Sequence, residues 1–318
     1  MKPSFRNLAA TASLLIPGLV AGDAVPGDWL NKMSSAVQTT NYEGTVIRVR
    51  NDNVEALKVA HMVADGVIRE RVIVQDGNGL EIIRNGNEVH CILPDEKQVL
   101  VEEWNDQSTL FSALPSSDIR FGSEYDVSIV RTDRIAGRKT VLLAIRPHDE
   151  YRFGHRLWLD TETGFPLQTK VIAENGEAIE QVKFADIRIG NDIHASSLTP
   201  TVSTENFHWL KTPKRSISHD VASSWRSSQL PPGFRAVSTH REDLPGSDEP
   251  VVHILYSDGL ANVSVFVEPA KGESPSGRSK VGVSNTYSTQ VGNYQVTAVG
   301  EVPAKTVEQI ASSMRPSQ

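Results

Sequence analysis

The sequence predicts a mainly β protein of the α+β class, in which one large, strongly curved sheet or barrel precedes a smaller α+β domain. Its 318 residues allow about two domains at ~150 residues each. Runs rich in β-branched residues alternate with turn dipeptides such as Asn85-Gly86 and Asn175-Gly176, which is typical of an antiparallel meander. A segment rich in Ser, Thr and Pro separates a long set of such runs from a short one, so we expect a domain boundary there.

Residues 1–24 have the three parts of a secretory signal peptide. Lys2 and Arg6 precede an apolar run over residues 8–20, and small residues lead to Ala24. The run is shorter than the ~20 apolar residues that span a bilayer, so we expect cleavage near Ala24 and a soluble, exported mature chain. Cys91 is the only cysteine, so we expect neither an internal disulfide nor a lipid anchor on the mature protein.

The predicted first domain spans residues 25–199 and opens with a helix. Asp28 can cap this helix, and apolar residues recur at helical spacing from Trp29 to Val37, so we expect it to end near Thr39. The period then switches to two, which predicts strands at Glu43–Arg50, Val54–Ala64, Val67–Gln75, Leu80–Arg84, Glu88–Leu93, Gln98–Trp104, Tyr125–Arg131, Thr140–Arg146, Arg156–Asp160, Leu167–Ala173 and Ala178–Ile189.

A break in the strand pattern lies at Asn105–Gly122, where Leu110, Phe111 and Leu114 stand at helical spacing. We interpret the break as one or two short helices that pack, with the N-terminal helix, across the opening of the curved sheet. A closed two-sheet sandwich is the alternative architecture.

Residues 200–229 lose strand periodicity and gather Ser, Thr and Pro, which is the composition of a linker. The second domain, residues 230–318, is predicted to hold an antiparallel sheet with strands at Val251–Tyr256, Ala261–Glu268, Val283–Thr289 and Tyr294–Val299. A helix from Pro303 to Met314 closes it, because Pro303 suits the first helical position and an apolar stripe follows.

Composition and motifs argue against nucleic-acid binding and against catalysis. The chain has 39 acidic and 32 basic residues, a net charge of −7, so its field repels phosphate backbones. The stretch Gly272–Ser276 lacks the last glycine of a nucleophile elbow. His148, Asp149, Glu150 and His155 do not have the i, i+4 spacing of a helical metal motif. We therefore expect a binding protein rather than an enzyme, with no cofactor and no metal ion.

Two basic residues, Arg69 and Arg71, stand two apart on a predicted strand and so share one face. His61 lies on the strand before them. One interpretation is a solvated face with ion pairs to Glu81 and Glu88. The other is a site for an anionic headgroup or for carboxylates of a partner, held by the guanidinium groups.

Blocks in both domains resemble the periplasmic RseB/MucB family, regulators of the envelope-stress sigma factor. The blocks occur in order along the chain and include Asn41-Tyr42-Glu43-Gly44-Thr45, Arg69-Glu70-Arg71, Tyr151-Arg152-Phe153-Gly154-His155-Arg156-Leu157-Trp158-Leu159-Asp160, Leu230-Pro231-Pro232-Gly233-Phe234 and Tyr256-Ser257-Asp258-Gly259-Leu260-Ala261. The resemblance implies an unclosed β-barrel of the lipoprotein-carrier type, with helices in its mouth, joined to a small α+β domain.

The same resemblance implies a function and partners. Proteins of this family bind the periplasmic domain of a membrane-spanning anti-sigma factor and shield it from regulated proteolysis. Lipid or lipopolysaccharide fragments are thought to release the anti-sigma factor from this shield. We place the lipid entrance at the helical break, with Trp104, Leu110, Phe111 and Leu114; ordinary core packing is their alternative role. The partner-binding residues that we expect are Arg69, Arg71, Arg152, His155, Arg156 and Trp209, for which contacts between strands are the alternative.

Two other functions stay open at this point. A periplasmic lipid or lipoprotein carrier would use the same first domain, although a carrier needs no second domain. An exported hydrolase would need a nucleophile and a base that meet in one cleft. Exposed strand edges also leave a homodimer open.

Overall fold

The computed structural model describes residues 25–50, 53–103, 114, 123–190, 192–211, 217–219, 224–242, 250–270, 272 and 276–317. The predicted signal peptide at residues 1–24 lies outside them, as does the predicted helical break at residues 105–122 apart from Leu114. Within the described residues, no helix is both long enough and apolar enough to cross a membrane.

One helix, α1 (Pro26–Thr39), opens the first domain. It begins earlier than predicted, because the fixed φ of Pro26 suits the first helical position. Asp28 therefore lies in the first turn rather than at the cap, where its carboxylate interacts favourably with the helix dipole. The predicted apolar face is confirmed, since Leu30 and Met33 are fully buried.

Among the described residues, a twelve-stranded sheet and a short 3₁₀ helix (Ala195–Leu198) follow α1. Its strands are β1 (Tyr42–Arg50), β2 (Asn53–Ala64), β3 (Val67–Val74), β4 (Glu81–Asn85), β5 (Glu88–Leu93), β6 (Gln98–Glu103), β7 (Tyr125–Ile135), β8 (Arg138–Pro147), β9 (Gly154–Asp160), β10 (Pro166–Ile172), β11 (Ala178–Ile189) and β12 (His208–Lys211). Every predicted run of this domain is a strand, with ends that differ by a few residues.

The strands lie in the order β12-β6-β5-β4-β3-β2-β1-β11-β10-β9-β8-β7. Neighbours are antiparallel except β12, which runs parallel to β6. The two end strands, β12 and β7, do not pair with each other in this order, so the sheet that the described strands form is unclosed, as predicted. The two-sheet sandwich was the wrong alternative.

The core of the first domain lies between α1 and one face of this sheet. Tyr42 stands at its centre, with its ring centroid 4.6 Å from that of Phe165 and 5.8 Å from that of Phe184. Met33 of α1 packs into the same cluster, and Leu114 packs against it. Aromatic rings in tilted and edge-on contact add to the burial of apolar area that holds α1 on the sheet.

The predicted linker at residues 200–229 contains three short strands, β12, β13 (Ile217–His219) and β14 (Trp225–Ser227). They are too short to show a period of two. The start of this segment packs on the first sheet, because the Thr201 backbone N–H donates to Glu81 at 3.0 Å and Arg71 donates to the Thr199 carbonyl at 2.6 Å. The exact position of the domain boundary stays a prediction.

Among its described residues, the second domain consists of a seven-stranded sheet, a two-stranded ribbon and one helix. After β14 come β15 (Arg235–Glu242), β16 (Val251–Ser257), β17 (Asn262–Pro269), β18 (Gly277–Val281), β19 (Ser284–Val291), β20 (Tyr294–Gly300), α2 (Ala304–Ser312) and β21 (Met314–Pro316). The sheet order is β13-β15-β16-β17-β20-β19-β18, and β14 pairs separately with β21. Val307 and Ile310 of α2 are buried with Val265 and Val296 of the sheet.

Helix α2 is shorter at both ends than predicted. Pro303 has an extended conformation with ψ 146° and precedes the helix as its cap. Met314 leaves the helix and pairs with Ser227 in the β14–β21 ribbon. The side chain of Met314 is nevertheless buried in the same core, which explains why its spacing fits the apolar stripe of the helix.

Candidate functional site

The two domains meet at a buried carboxylate, Asp258, in the turn between β16 and β17. The Tyr125 hydroxyl at the start of β7 donates to Asp258 Oδ2 at 2.8 Å, and Arg152 Nε donates to the same oxygen at 2.5 Å. Tyr125 and Arg152 belong to the first domain, and Asp258 belongs to the second. We call this group, with Asp149 and Pro232, the Arg152 junction.

The local sequence holds Asp258 in place. Its other oxygen, Oδ1, accepts hydrogen bonds from the backbone N–H groups of Leu260 at 2.9 Å and Ala261 at 2.7 Å. Gly259 has a φ of 102°, which residues other than glycine rarely adopt. One carboxylate oxygen therefore stabilises the turn while the other one contacts the first domain.

The Arg152 guanidinium is enclosed at this junction. It also donates to Asp149 and to the Pro232 carbonyl. Its carbon Cζ lies 5.5 Å from the Tyr125 ring centroid and 5.1 Å from that of Phe234, within the range of cation–π attraction. Burial on its own lowers the pKa of Arg152, but the hydrogen bonds to Asp258 and Asp149 outweigh it and raise the pKa. Arg152 is therefore a charged group buried between the domains.

The same carboxylate also affects Tyr125. Burial, followed by the charge of Asp258 and the hydrogen bond to it, raises the pKa of the Tyr125 hydroxyl far above its ordinary value. Tyr125 therefore stays a hydrogen-bond donor at every physiological pH.

The start of α2 supplies a second set of contacts between the domains. Thr306 Oγ1 donates to the Tyr151 carbonyl at 2.7 Å. Lys305 Nζ lies 2.5 Å from a carboxylate oxygen of Glu150 and 3.7 Å from one of Glu174. The Lys305 pairs are exposed and contribute little, so the buried Arg152 junction is the stronger of the two contacts.

A cavity of about 280 Å³ opens beside the Arg152 junction. Ile145, Pro147 and Ile172 contribute apolar walls, and the exposed side chains of Arg146 and Arg156 line it as well. Asp149 and Glu174 line the cavity too. The cavity therefore suits a ligand or a peptide side chain that has an apolar body and an anionic end placed at the exposed arginines.

His155 also lines this cavity. Burial lowers the pKa of His155 to about 4, and the charge of Asp258 offsets this only in part. The ring is therefore neutral at pH 7, although one side of it reaches the cavity.

The structure brings three of the six predicted partner-binding residues together. Arg152, His155 and Arg156 all line the cavity at the junction. Arg71 lines a different cavity, of about 540 Å³, with Lys58 and Arg188. Whether any of these residues contacts a partner stays a prediction.

Arg69 and Arg71 share the outer face of β3, as predicted, but His61 does not lie with them. His61 pairs in register with Glu70, and its Nδ1 lies 2.8 Å from the Glu70 carboxylate inside the protein. Side chains alternate along a strand, so residues 69 and 71 face away from Glu70. The suggested ion pairs with Glu81 and Glu88 are also not formed, because Glu81 accepts from Thr201 and Glu88 contacts His90.

Trp209 lies on the edge strand β12, and 51% of its surface is exposed. Its ring packs edge-on against His90, with centroids 5.2 Å apart. Of the predicted lipid-entrance residues, Trp104, Leu110 and Phe111 lie outside the described residues, and Leu114 packs against the first core.

Sequence reasoning missed Tyr125, Asp149 and Asp258 as parts of the site. Asp258 is a turn residue in the block Tyr256–Ala261, and a turn aspartate has an ordinary local role. The signal that the sequence offered is Tyr125 at the first position of a strand and, later in the chain, Arg152 in a turn. Neither residue indicates its partner, which lies 106 positions from Arg152.

Two family models match this chain. The MucB/RseB N-terminal domain matches residues 25–202, and the MucB/RseB C-terminal domain matches residues 219–315. The chain belongs to the MucB/RseB family. The resemblance expected from its sequence blocks is therefore confirmed over both domains.

Individual MucB/RseB relatives are similar over nearly their whole length. The chain is 33% identical to the sigma factor AlgU regulatory protein MucB of Pseudomonas aeruginosa, over 95% of this chain and 94% of the relative. It is 30% identical to the sigma-E factor regulatory protein RseB of Escherichia coli, over 98% of this chain and 97% of the relative.

Solved structures of MucB have the same fold. A crystal structure of MucB in complex with MucA(peri) superposes with a TM-score of 0.70 at 31% identity, covering 92% of this chain and all of that chain. The complex structure of Pseudomonas aeruginosa MucA/MucB gives a TM-score of 0.69 and covers 93% of this chain.

Proposed function

We propose that this MucB/RseB-family chain works in the periplasm, where it binds the periplasmic region of a membrane-spanning anti-sigma factor and so restrains an envelope-stress sigma factor. The observation that carries the proposal is the match over both domains to a MucB structure solved in complex with MucA(peri). The named relatives are sigma factor regulatory proteins, so we propose regulation by binding and no catalytic step.

The partner surface that we propose includes the cavity beside the Arg152 junction. Arg156 and Arg146 are exposed there and can donate bidentate hydrogen bonds to carboxylates of the partner. Arg152 is enclosed, so its role is to hold the two domains in the arrangement that the partner recognises. Trp209 on the edge strand adds an exposed aromatic side chain of the type that anchors interfaces.

Shielding of the partner follows from such a complex, because a protease cannot cut a segment that lies in the bound state. Lipid release follows if an acyl chain in the first domain disfavours the domain arrangement that grips the partner. Moving the complex from almost all bound to almost all free takes about 5.5 kcal/mol of differential binding. Burial of about seven methylene groups at ~0.8 kcal/mol each supplies that amount before ordering costs.

Capture from an inner-membrane extract tests partner identity. The mature chain, residues 25–318, is immobilised, and bound proteins are identified by mass spectrometry and then tested for protection against added protease. We expect a single-span anti-sigma protein that is protected while bound. Recovery of a lipoprotein instead would favour the carrier function, and recovery of neither would contradict both.

A charge reversal tests the surface. Arg156→Glu places a repelling charge at the cavity, and we expect it to weaken partner binding at least about tenfold, a loss of ~1.4 kcal/mol. Arg131→Glu on β7 is the matched control, because Arg131 has 58% of its side chain exposed and does not line the cavity. Equal affinity of the Arg156 and Arg131 variants would exclude this surface while leaving the proposed partner in place.

Calorimetry tests the lipid part of the proposal. Lipid must weaken partner binding, and the partner must weaken lipid binding, by the same factor, because the coupling free energy is reciprocal. A partner affinity that does not change in saturating lipopolysaccharide would contradict lipid release.

A further inference from the structure

Two histidines on neighbouring strands of the second sheet face each other. His240 on β15 pairs in register with His253 on β16, and the Nε2 atom of His240 lies 3.0 Å from the Nδ1 atom of His253. Their ring centroids are 4.6 Å apart, with an angle of 74° between the rings. Register pairing and side-chain contact therefore agree on one compact imidazole pair.

Neighbouring residues on β16 and β17 fix the orientation of His253. His253 stacks on Phe266 of β17 at 4.4 Å and 18°, and Phe266 is its register partner on that strand. The residue after His253, Ile254, is buried in the core beneath α2. Because successive side chains point to opposite faces, the histidines lie on the face away from α2 and cannot turn into the core.

We propose that this pair is a binding site for a divalent transition-metal ion such as Zn²⁺. Two imidazole nitrogens bound to Zn²⁺ at about 2.0–2.1 Å in tetrahedral geometry stand roughly 3.3 Å apart. The observed 3.0 Å differs from that by only a few tenths of an ångström. Imidazole is a preferred ligand of zinc, copper and nickel.

Metal binding here needs only a small chemical change. Two neutral imidazole nitrogens at this distance share one hydrogen, with one nitrogen as donor and the other as acceptor. On metal binding, the donor ring moves its hydrogen to its other ring nitrogen, and both facing nitrogens present lone pairs to the ion.

Among the side chains that the structure describes, no group of three or more ligand-type residues forms a metal site. His240 and His253 are therefore the two ligands that the described side chains supply to the proposed site.

The site is separate from the proposed regulatory surface. His253 lies in the middle of β16, and its partners are on β15 and β17, whereas the Arg152 junction uses the turn after β16. Metal binding can therefore be tested in the absence of the anti-sigma partner, and its outcome does not depend on the proposed function.

Titration of the tag-free mature chain with zinc chloride in a calorimeter tests the site. We expect one Zn²⁺ per chain, with affinity reduced at least tenfold in His240→Gln and in His253→Gln. Glutamine keeps a polar side chain, and far-UV circular dichroism without metal checks that each variant is folded. His194→Gln, at an exposed position outside the second sheet, is the matched control and should bind like the wild type.

Two results would overturn the proposal. One is the absence of zinc binding by the wild type at about 100 μM metal. The other is binding that survives both His240→Gln and His253→Gln in folded protein, which would place the zinc elsewhere on the chain.

Discussion

Neutralising Asp258 is the sharpest test of how the two domains are held together. Asp258→Asn keeps the size of the side chain and one oxygen for the turn, but it removes the charge that faces Arg152. The side chains of Arg152 and Asp258 are 0% and 1% exposed. Removing one partner of a buried ion pair costs about 3–5 kcal/mol. Because Asp149 still accepts from Arg152, we expect the lower end, about 3 kcal/mol.

Urea unfolding of residues 25–318 measures this loss. Because the chain has five tryptophans, variants that keep only Trp158 of the first core or only Trp225 of the second core report the two domains separately. This matters because two domains need not unfold in one step. We expect a lower urea midpoint in at least one of these transitions. Glu308→Gln is the control, because it removes an exposed ion pair with Arg278. The side chains of Glu308 and Arg278 are 34% and 61% exposed, so this substitution should change stability by at most ~1 kcal/mol.

The order of effects is as informative as their size. Tyr125→Phe removes a hydrogen bond to the same carboxylate and should cost about 1.5–3 kcal/mol, between the other two variants. If Asp258→Asn were no more destabilising than Glu308→Gln, the Arg152 junction would not hold the domains together, and the reasoning would be refuted.

Two further predictions concern the first domain. Gly44→Ala should destabilise the first domain by about 1–3 kcal/mol in thermal unfolding, because a Cβ atom there would lie 2.4 Å from the Asp186 carbonyl oxygen. The control Gly27→Ala, where a Cβ atom meets nothing within 4 Å, should be neutral or stabilising. Equal effects of the two substitutions would contradict this prediction. Burial raises the pKa of Asp160, but the hydrogen bond from Arg138 helps to outweigh burial and leaves this pKa below its ordinary value. The stabilisation that the ionised Asp160 carboxylate gives the fold is therefore complete above pH ~3.9 and is lost as the pH falls. Asp160→Asn should therefore have a flatter dependence of the urea midpoint on pH between pH 5 and 3, and an unchanged slope would show that the ionised carboxylate contributes nothing.

Periodicity predicted most of the strands because their core-facing residues alternate and their turns carry Gly after Asn or Asp. Besides the short strands β12, β13, β14 and β21, it missed β15 and β18, whose residues are mostly polar. Neither strand has an apolar alternation to detect, and their pairing with β16 and β19 is decided by neighbours distant in sequence.

The candidate site was predicted only in part, for the same reason. The block from Tyr151 to Asp160 pointed to Arg152, His155 and Arg156, and the fold places them together. The sequence alone does not show that Asp258 provides the carboxylate across the junction. It also does not show the register of His61, which faces Glu70 inside the protein rather than Arg69 and Arg71 outside. Register is decided by strand pairing, so side-chain faces on different strands follow only once the pairing is known.

Binding of the proposed partner can be measured by calorimetric titration. The periplasmic segment of a membrane-spanning anti-sigma factor from the same cell is titrated into residues 25–318 of the chain in the absence of lipid. We expect a saturable complex with a dissociation constant of about 10 μM or tighter, which corresponds to roughly −7 kcal/mol. No heat of binding and no comigration on gel filtration at about 100 μM of both components would contradict it.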